Sequence, residues 1–233
     1  MIGIEYVDFD GARTDRDWNL NLLSVRIAPP EAKTKTIDIP GIDGEIDMRE
    51  IFGDVRYENR EIEYVFSSYC TYEEWPVIVS EISNYLHGRK RKAINGFDRS
   101  FYWTGRFEVD SEKEDPALQE LTITGNVDPY KYDIEDGSEP WKWDPFSFRT
   151  GIIRNYSKRQ INGSGTITII GRRKQVNPTI ITDTEMTVAC EGQVISLQPG
   201  ATVLYELQLG EGRHDLTFTG TGTVTVLYRG GSL

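Results

Sequence analysis

Apolar and polar residues alternate along most of this chain, and period two is the mark of a strand with one buried face. Ile2–Val7 predicts a short strand, Asp8–Gly11 a turn, and Trp18–Ile27 (WNLNLLSVRI) a second strand closed by Pro29-Pro30. Within IDIPGIDGEIDMREIFGDVRYENREIEYVF, Pro40-Gly41 and Asp43-Gly44 set two turn signals between short alternating runs, which predicts a hairpin. Val55–Phe66 changes phase. Val55 and Tyr57 are odd, whereas Ile62, Tyr64 and Phe66 are even, so a bulge or bend is expected near Glu58-Asn59-Arg60. Ser100–Val109 and Leu118–Val127 predict two further strands, the second with Leu121, Ile123 and Val127 on one face.

One segment breaks the period. In Thr71–Leu86, Trp75, Val79, Ile82 and Leu86 recur at helical spacing, Thr71 and Glu74 fit a capping box, and Gly88 marks the stop. Pro76 favours a start later than Thr71. The predicted helix packs its stripe on a sheet. Arg89-Lys90-Arg91-Lys92 then reads as a solvated basic end that suits the helix C-terminus and an acidic neighbour, rather than as a polyanion patch.

Glu135–Pro140 (EDGSEP) has linker composition and predicts a boundary between domains 1–135 and 136–233. Beyond Thr150 the pattern is all-β. Runs at 166–170, 179–182, 186–190, 194–197, 202–209, 213–218 and 223–228 predict an antiparallel sandwich. Gly163-Ser164-Gly165 and Gly220-Thr221-Gly222 read as turns between strands. The expected fold is mainly β, with an N-terminal β-sandwich carrying one α-helix and a protruding hairpin, followed by a second β-sandwich.

Charge sharpens the division. The net charge is −11, and residues 1–135 hold 28 Asp and Glu against 16 Lys and Arg, while residues 136–233 are close to balance. Such an acidic surface disfavours a nucleic-acid-reading role. No apolar run is long enough for a membrane helix, and Met1–Asp10 lacks the features of a signal peptide. Cys70 and Cys190 lie far apart and read as free thiols, so neither a disulfide framework nor a zinc site is expected.

Candidate chemistry is sparse. His87 and His214 are isolated from any nucleophile in the sequence, and no metal-ligand cluster or phosphate-binding loop stands out. Glu5, Asp43, Glu45 and Asp47 are nominal acid pairs but read as solvated turn carboxylates. Trp141, Trp143, Phe146 and Phe148 could form a glycan-stacking platform, or bury a seam between domains. No cofactor, metal or catalytic site is expected.

Several features, taken in order, resemble the distal tail proteins (Dit) of siphophages, the phages with long, non-contractile tails. They are the strand Trp18–Val25 and the turn Ile39-Pro40-Gly41-x-Asp43-Gly44-x-x-Asp47. They continue with Tyr57-x-Asn59-Arg60-x-Ile62, the Trp75 helix ending Tyr85-Leu86-His87-Gly88, Asp128-Pro129-Tyr130, and a last hairpin over Gly212–Arg229. The likeness spans nearly the whole chain. It implies a structural virion protein of the tail, assembled in the host bacterial cytoplasm. Its N-terminal domains would close into a homohexamer, as single or stacked rings, with galectin-like C-terminal sandwiches outside.

That ring would join the tail tube protein to tail-tip, tail-associated lysin or baseplate proteins, and DNA would pass through without specific binding. A head-to-tail ring needs two different surfaces per subunit, and the turn residues Ile39, Pro40, Gly41, Ile42, Asp43, Gly44 and Asp47 are the expected interface element. No Trp lies beyond Trp143, whereas a working galectin stacks its sugar on one, so protein docking is the better expectation for the second domain. A glycan-binding adhesin is the binding-class alternative, and a wall hydrolase the enzyme-class alternative.

Overall fold

The computed structural model describes residues 6–33, 36–38, 43, 45–47, 54–110, 119–139 and 151–233. Two compact units emerge. The first comprises Met1–Phe97, Trp103–Pro129 and Leu233; the second comprises Asp98–Tyr102 and Tyr130–Ser232.

The first unit is built on an antiparallel sheet. Its elements are β1 (Val7–Phe9), β2 (Ala12–Arg13), α1 (Thr14–Asp17), β3 (Leu20–Ile27), β4 (Thr36–Asp38), β5 (Glu45–Asp47), β6 (Arg60–Ser68), α2 (Trp75–Leu86), β7 (Lys90–Asn95), β8 (Phe101–Val109) and β9 (Glu120–Val127). Its main sheet runs β2-β1-β7-β8-β9-β6-β3, and β4 and β5 pair separately. The predicted turn after β1 is a tight hairpin loop. Asp10 and Gly11 both take positive φ (53° and 97°), which matches the twist of the flanking strands, and the Gly11 N–H donates to Asp8 Oδ1 at 2.6 Å.

The expected phase change has a simpler cause than a bulge. β6 begins only at Arg60, and Tyr57 makes an isolated bridge to Ala32, so the odd-phase residues lie outside the strand. The register irregularity falls instead on β3, between Leu22 and Ser24, where the intervening Leu23 is exposed.

Even positions of β6 and odd positions of β8 and β9 form the core face. Ile62, Tyr64, Phe66, Phe107, Leu121, Ile123 and Val127 are all buried there. Phe9 meets Phe107 edge-on with centroids 5.1 Å apart and Tyr64 at 6.0 Å, a geometry that adds to what area burial supplies. Tyr64 donates from its hydroxyl to Asn95 Oδ1 at 2.8 Å, so this deep polar atom is satisfied, and burial pushes the phenol well above its ordinary range.

Helix α2 starts at Trp75, the later start that Pro76 favours over Thr71. Both capping-box contacts still form one turn upstream: the Thr71 N–H donates to Glu74 Oε2 at 2.8 Å, and the Glu74 N–H donates to Thr71 Oγ1 at 3.3 Å. They close a turn that leads into the helix, and Pro76 occupies its first turn, where a missing N–H costs nothing. Trp75, Ile82 and Leu86 are buried and Val79 packs against the same core, as the stripe requires.

Among the described residues, the regular elements of the second unit are all β. Its elements are β10 (Lys131–Asp133), β11 (Arg159–Gly171), β12 (Thr179–Thr182), β13 (Met186–Cys190), β14 (Gln193–Leu197), β15 (Gly200–Val203), β16 (Gly212–Leu227) and β17 (Gly231–Ser232). Here two readings are corrected. The segments 213–218 and 223–228 are not separate strands, and neither Gly-x-Gly is a turn. β16 runs unbroken and pairs β11 from Arg159↔Val224 to Gly171↔Gly212, with Gly163 opposite Gly220. Its first half takes β13 as second neighbour and its last part takes β12.

The glycines mark that change of partner. A Cβ on Gly222 would sit 2.3 Å from Thr184 Oγ1, because the Asp183–Met186 loop lies on the strand there. Asp183 Oδ1 accepts the Thr223 N–H at 2.7 Å, and Thr184 Oγ1 donates to Thr221 O at 2.7 Å. Ile161, Ile167, Ile169, Leu216, Phe218, Val224 and Val226 line the resulting core. The predicted strand 202–209 ends at Val203; Leu209 returns as a bridge to Val176.

Candidate assembly surfaces

The turn expected to serve as an interface element is carried by β4 and β5. Thr36 faces Asp47, Ile37 faces Ile46 and Asp38 faces Glu45 in antiparallel register, so the predicted hairpin forms. Of the residues singled out, Asp47 lies in β5 and Asp43 is exposed between the strands. Ile39, Pro40, Gly41, Ile42 and Gly44 lie outside the described residues, as do Trp141, Trp143, Phe146 and Phe148 and the nominal carboxylate Glu5.

The basic run after α2 is drawn into the fold. Lys90 opens β7 and its Nζ lies 3.6 Å from Asp128 Oδ1. Arg91 Nη2 donates to Tyr85 O at 2.9 Å near the helix end, its guanidinium lies over the Tyr85 ring, and Nη1 is 3.8 Å from Asp10. Arg106 donates to Gly88 O. Carbonyls at a helix C-terminus and two carboxylates therefore occupy much of this charge.

The second unit holds a buried ion cluster that sequence reasoning missed. Asp133 accepts from Arg154 Nη2 at 2.9 Å and pairs with Arg172 Nη2 at 2.8 Å. Arg229 donates to the carbonyls of Asp133 and Ile134 and reaches Asp136 at 3.5 Å. Glu135–Glu139, whose composition reads as linker, is thereby fastened: the Gly137 N–H also donates to Tyr228 O at 3.0 Å. A small cavity is lined by Ser100, Ile134, Glu135 and this cluster, but Arg154 and Arg172 on its wall are both bonded to Asp133. Nothing in the spacing of residues 133, 154 and 172 signals their convergence.

Around the histidines and cysteines no reactive set assembles among the described residues. His214 Nδ1 lies 2.7 Å from Glu191 Oε1 and Nε2 lies 3.0 Å from Gly210 O, so a carboxylate and a carbonyl occupy both ring nitrogens. Burial, with Glu191 and Asp215 nearby, pushes the Cys190 thiol up, away from the reactive thiolate. No group of three His, Cys, Asp or Glu among the described residues could hold a metal ion. No helix among them is long and apolar enough to cross a membrane.

One cation of the first unit stands apart. Arg60 opens β6 at the same parity as the core residues Ile62, Tyr64 and Phe66, and only 8% of it is exposed. That parity was readable from the sequence and is the signal that could have flagged it.

No family model matches this chain, and no curated protein matches it. Among solved structures it is similar to the Dit (gp 19.1) protein of phage SPP1, described as a paradigm of the hub adsorption apparatus in phages infecting Gram-positive bacteria. The TM-score is 0.57 at 14% identity, over 96% of this chain and 98% of that one. The chain thus has a Dit-like fold, shared at an identity where sequence alone shows little.

Proposed function

We propose that this chain is a structural component of a phage or prophage tail: a hub protein whose copies close into a six-fold ring joining the tail tube to the tip or baseplate. The observation that carries this reading is the Dit-like fold along almost the full length of both proteins. The ordered set of sequence features that resembles the same family supports it independently.

The first unit is the ring-forming part in this proposal, within a domain spanning residues 1–135, and residues 136–233 form an outer module that docks other tail proteins. The β4–β5 hairpin supplies one of the two unlike surfaces that a closed heterologous ring demands. It reaches a neighbouring copy or extends its sheet. The acidity of residues 1–135 suits a bore that duplex DNA crosses without sticking. Duplex DNA bears one negative charge per roughly 1.7 Å of its axis, and like charge lining the passage keeps it non-adhesive. Contact geometry is then the whole function, without enzymatic chemistry.

Negative-stain imaging of the purified full chain, alone and with the cognate tail tube protein, tests this. Hollow six-fold particles that cap the tube are expected. Particles of any other symmetry, or a zone of cell-wall clearing in zymography that Asp or Glu substitutions abolish, would overturn it.

A further inference from the structure

We propose that the guanidinium of Arg60, laid over Trp103, is a receptor for a carboxylate supplied by a second copy of this chain. The inference rests on the ring reading above and names a contact within it.

Three arginines among the described residues bury an Nε that has no hydrogen-bond partner: Arg60, Arg91 and Arg154. Two of them are compensated. Arg154 pairs with Asp133 at 2.9 Å, and Arg91 has the Tyr85 carbonyl at 2.9 Å and Asp10 at 3.8 Å. Arg60 has neither a hydrogen bond nor an ion pair among the described residues. Its one favourable contact is the Trp103 ring, 5.0 Å from the guanidinium carbon. Arg60 and Arg91 even sit on one row of the sheet, on either side of Val127 and Gly105, so the same face offers the paired case beside the unpaired one.

A cation drawn from water is costly unless paired, and stacking on an indole returns only part of that cost. Burial accordingly lowers the pKa of Arg60. Of its three nitrogens only Nε is sealed, so the small exposed fraction of the side chain leaves the terminal pair open to an incoming group. Those two N–H-bearing nitrogens form the fork that donates end-on to the two oxygens of a carboxylate. The stem is already fixed by burial and by Trp103, so docking would cost little rotamer entropy. The carboxylate comes from a second copy because residues 1–135 carry 28 Asp and Glu against 16 Lys and Arg, so acid outnumbers the cations that would compete with Arg60 for it.

Arg60→Met, Arg60→Lys and, as control, Arg91→Met in the full chain test this. Concentration-dependent mass by sedimentation reads association, and thermal denaturation of the dilute single chain reads stability. Arg60→Met is expected to weaken association at least tenfold while leaving the melting temperature unchanged or raised, and Arg60→Lys to recover part of the association. Arg91→Met should lower the melting temperature. If Arg60→Met melts as low as Arg91→Met, the residue is structural and the proposal fails. If rings form with unchanged affinity without Arg60, this contact is wrong and the ring reading stands. If the unaltered chain stays single at every concentration, both fall.

Discussion

In the second unit, Arg154 and Arg172 converge on Asp133, and Arg229 closes over the neighbouring carbonyls. In the first unit, Arg60 enters the core face with an aromatic ring and, among the described residues, no anion. The overall charges differ in the same sense, with strong excess acidity before residue 136 and near balance after it. The second unit pairs its buried Asp133 internally, while in the first unit Arg60 has no anionic partner among the described residues and acid exceeds base along the sequence. A half whose electrostatics are incomplete in isolation is the half suited to completing them in an assembly, and the proposed ring assigns it that part.

The largest effect should come from deleting Ile39–Asp47. Association is expected to vanish while hydrogen exchange in β11 and β16 stays protected; assembly that persists would remove the hairpin from the interface. Trp75→Ala should then destabilise the first unit by about 3–5 kcal/mol, since it empties a fully buried aromatic site. Chemical denaturation followed by hydrogen exchange would localise the loss, and a change near zero would mean α2 does not anchor this core.

Asp133→Ala is the matching break in the second unit. It strands two guanidinium groups and is expected to cost about 3–5 kcal/mol, read as faster exchange in β10 and β17. A small loss there would show that the cluster is as weakly coupled as a surface pair, and the contrast between the units would collapse. Gly222→Ala is the mildest, at roughly 1–3 kcal/mol, because a methyl group must displace the Asp183–Thr184 loop. Its footprint should be confined to β16 and that loop.

Much of this architecture could be read from local pattern. Parity alone placed Leu121, Ile123 and Val127 on one buried face, and the stripe from Trp75 to Leu86 identified α2. Asp10-Gly11 announced its turn because that turn demands particular backbone angles, and the Pro40–Gly44 signals fall between the paired strands β4 and β5. The failures share another origin. Gly220 and Gly222 resemble a turn in sequence, yet a glycine inside a strand serves equally where another loop must approach closely, and only the tertiary fold distinguishes the two. β7 was hidden because Arg89–Lys92 looks like a helix end, and its strand character comes from pairing with β1 and β8. The Asp133 cluster depends on residues brought together from three distant segments, which no spacing rule encodes. Arg60 was legible in part: its core parity was visible, whereas the absence of a partner was not.

In the proposed ring, copies of this chain close on themselves into a hollow connector. The most direct test of that closure is the solution mass of the full chain across a wide concentration range. The expected result is a transition from the 26.6 kDa of one chain to a single closed species of six times that mass, with nothing larger except whole multiples of the ring. A mass that stays at 26.6 kDa throughout, or that grows without closing, would contradict it.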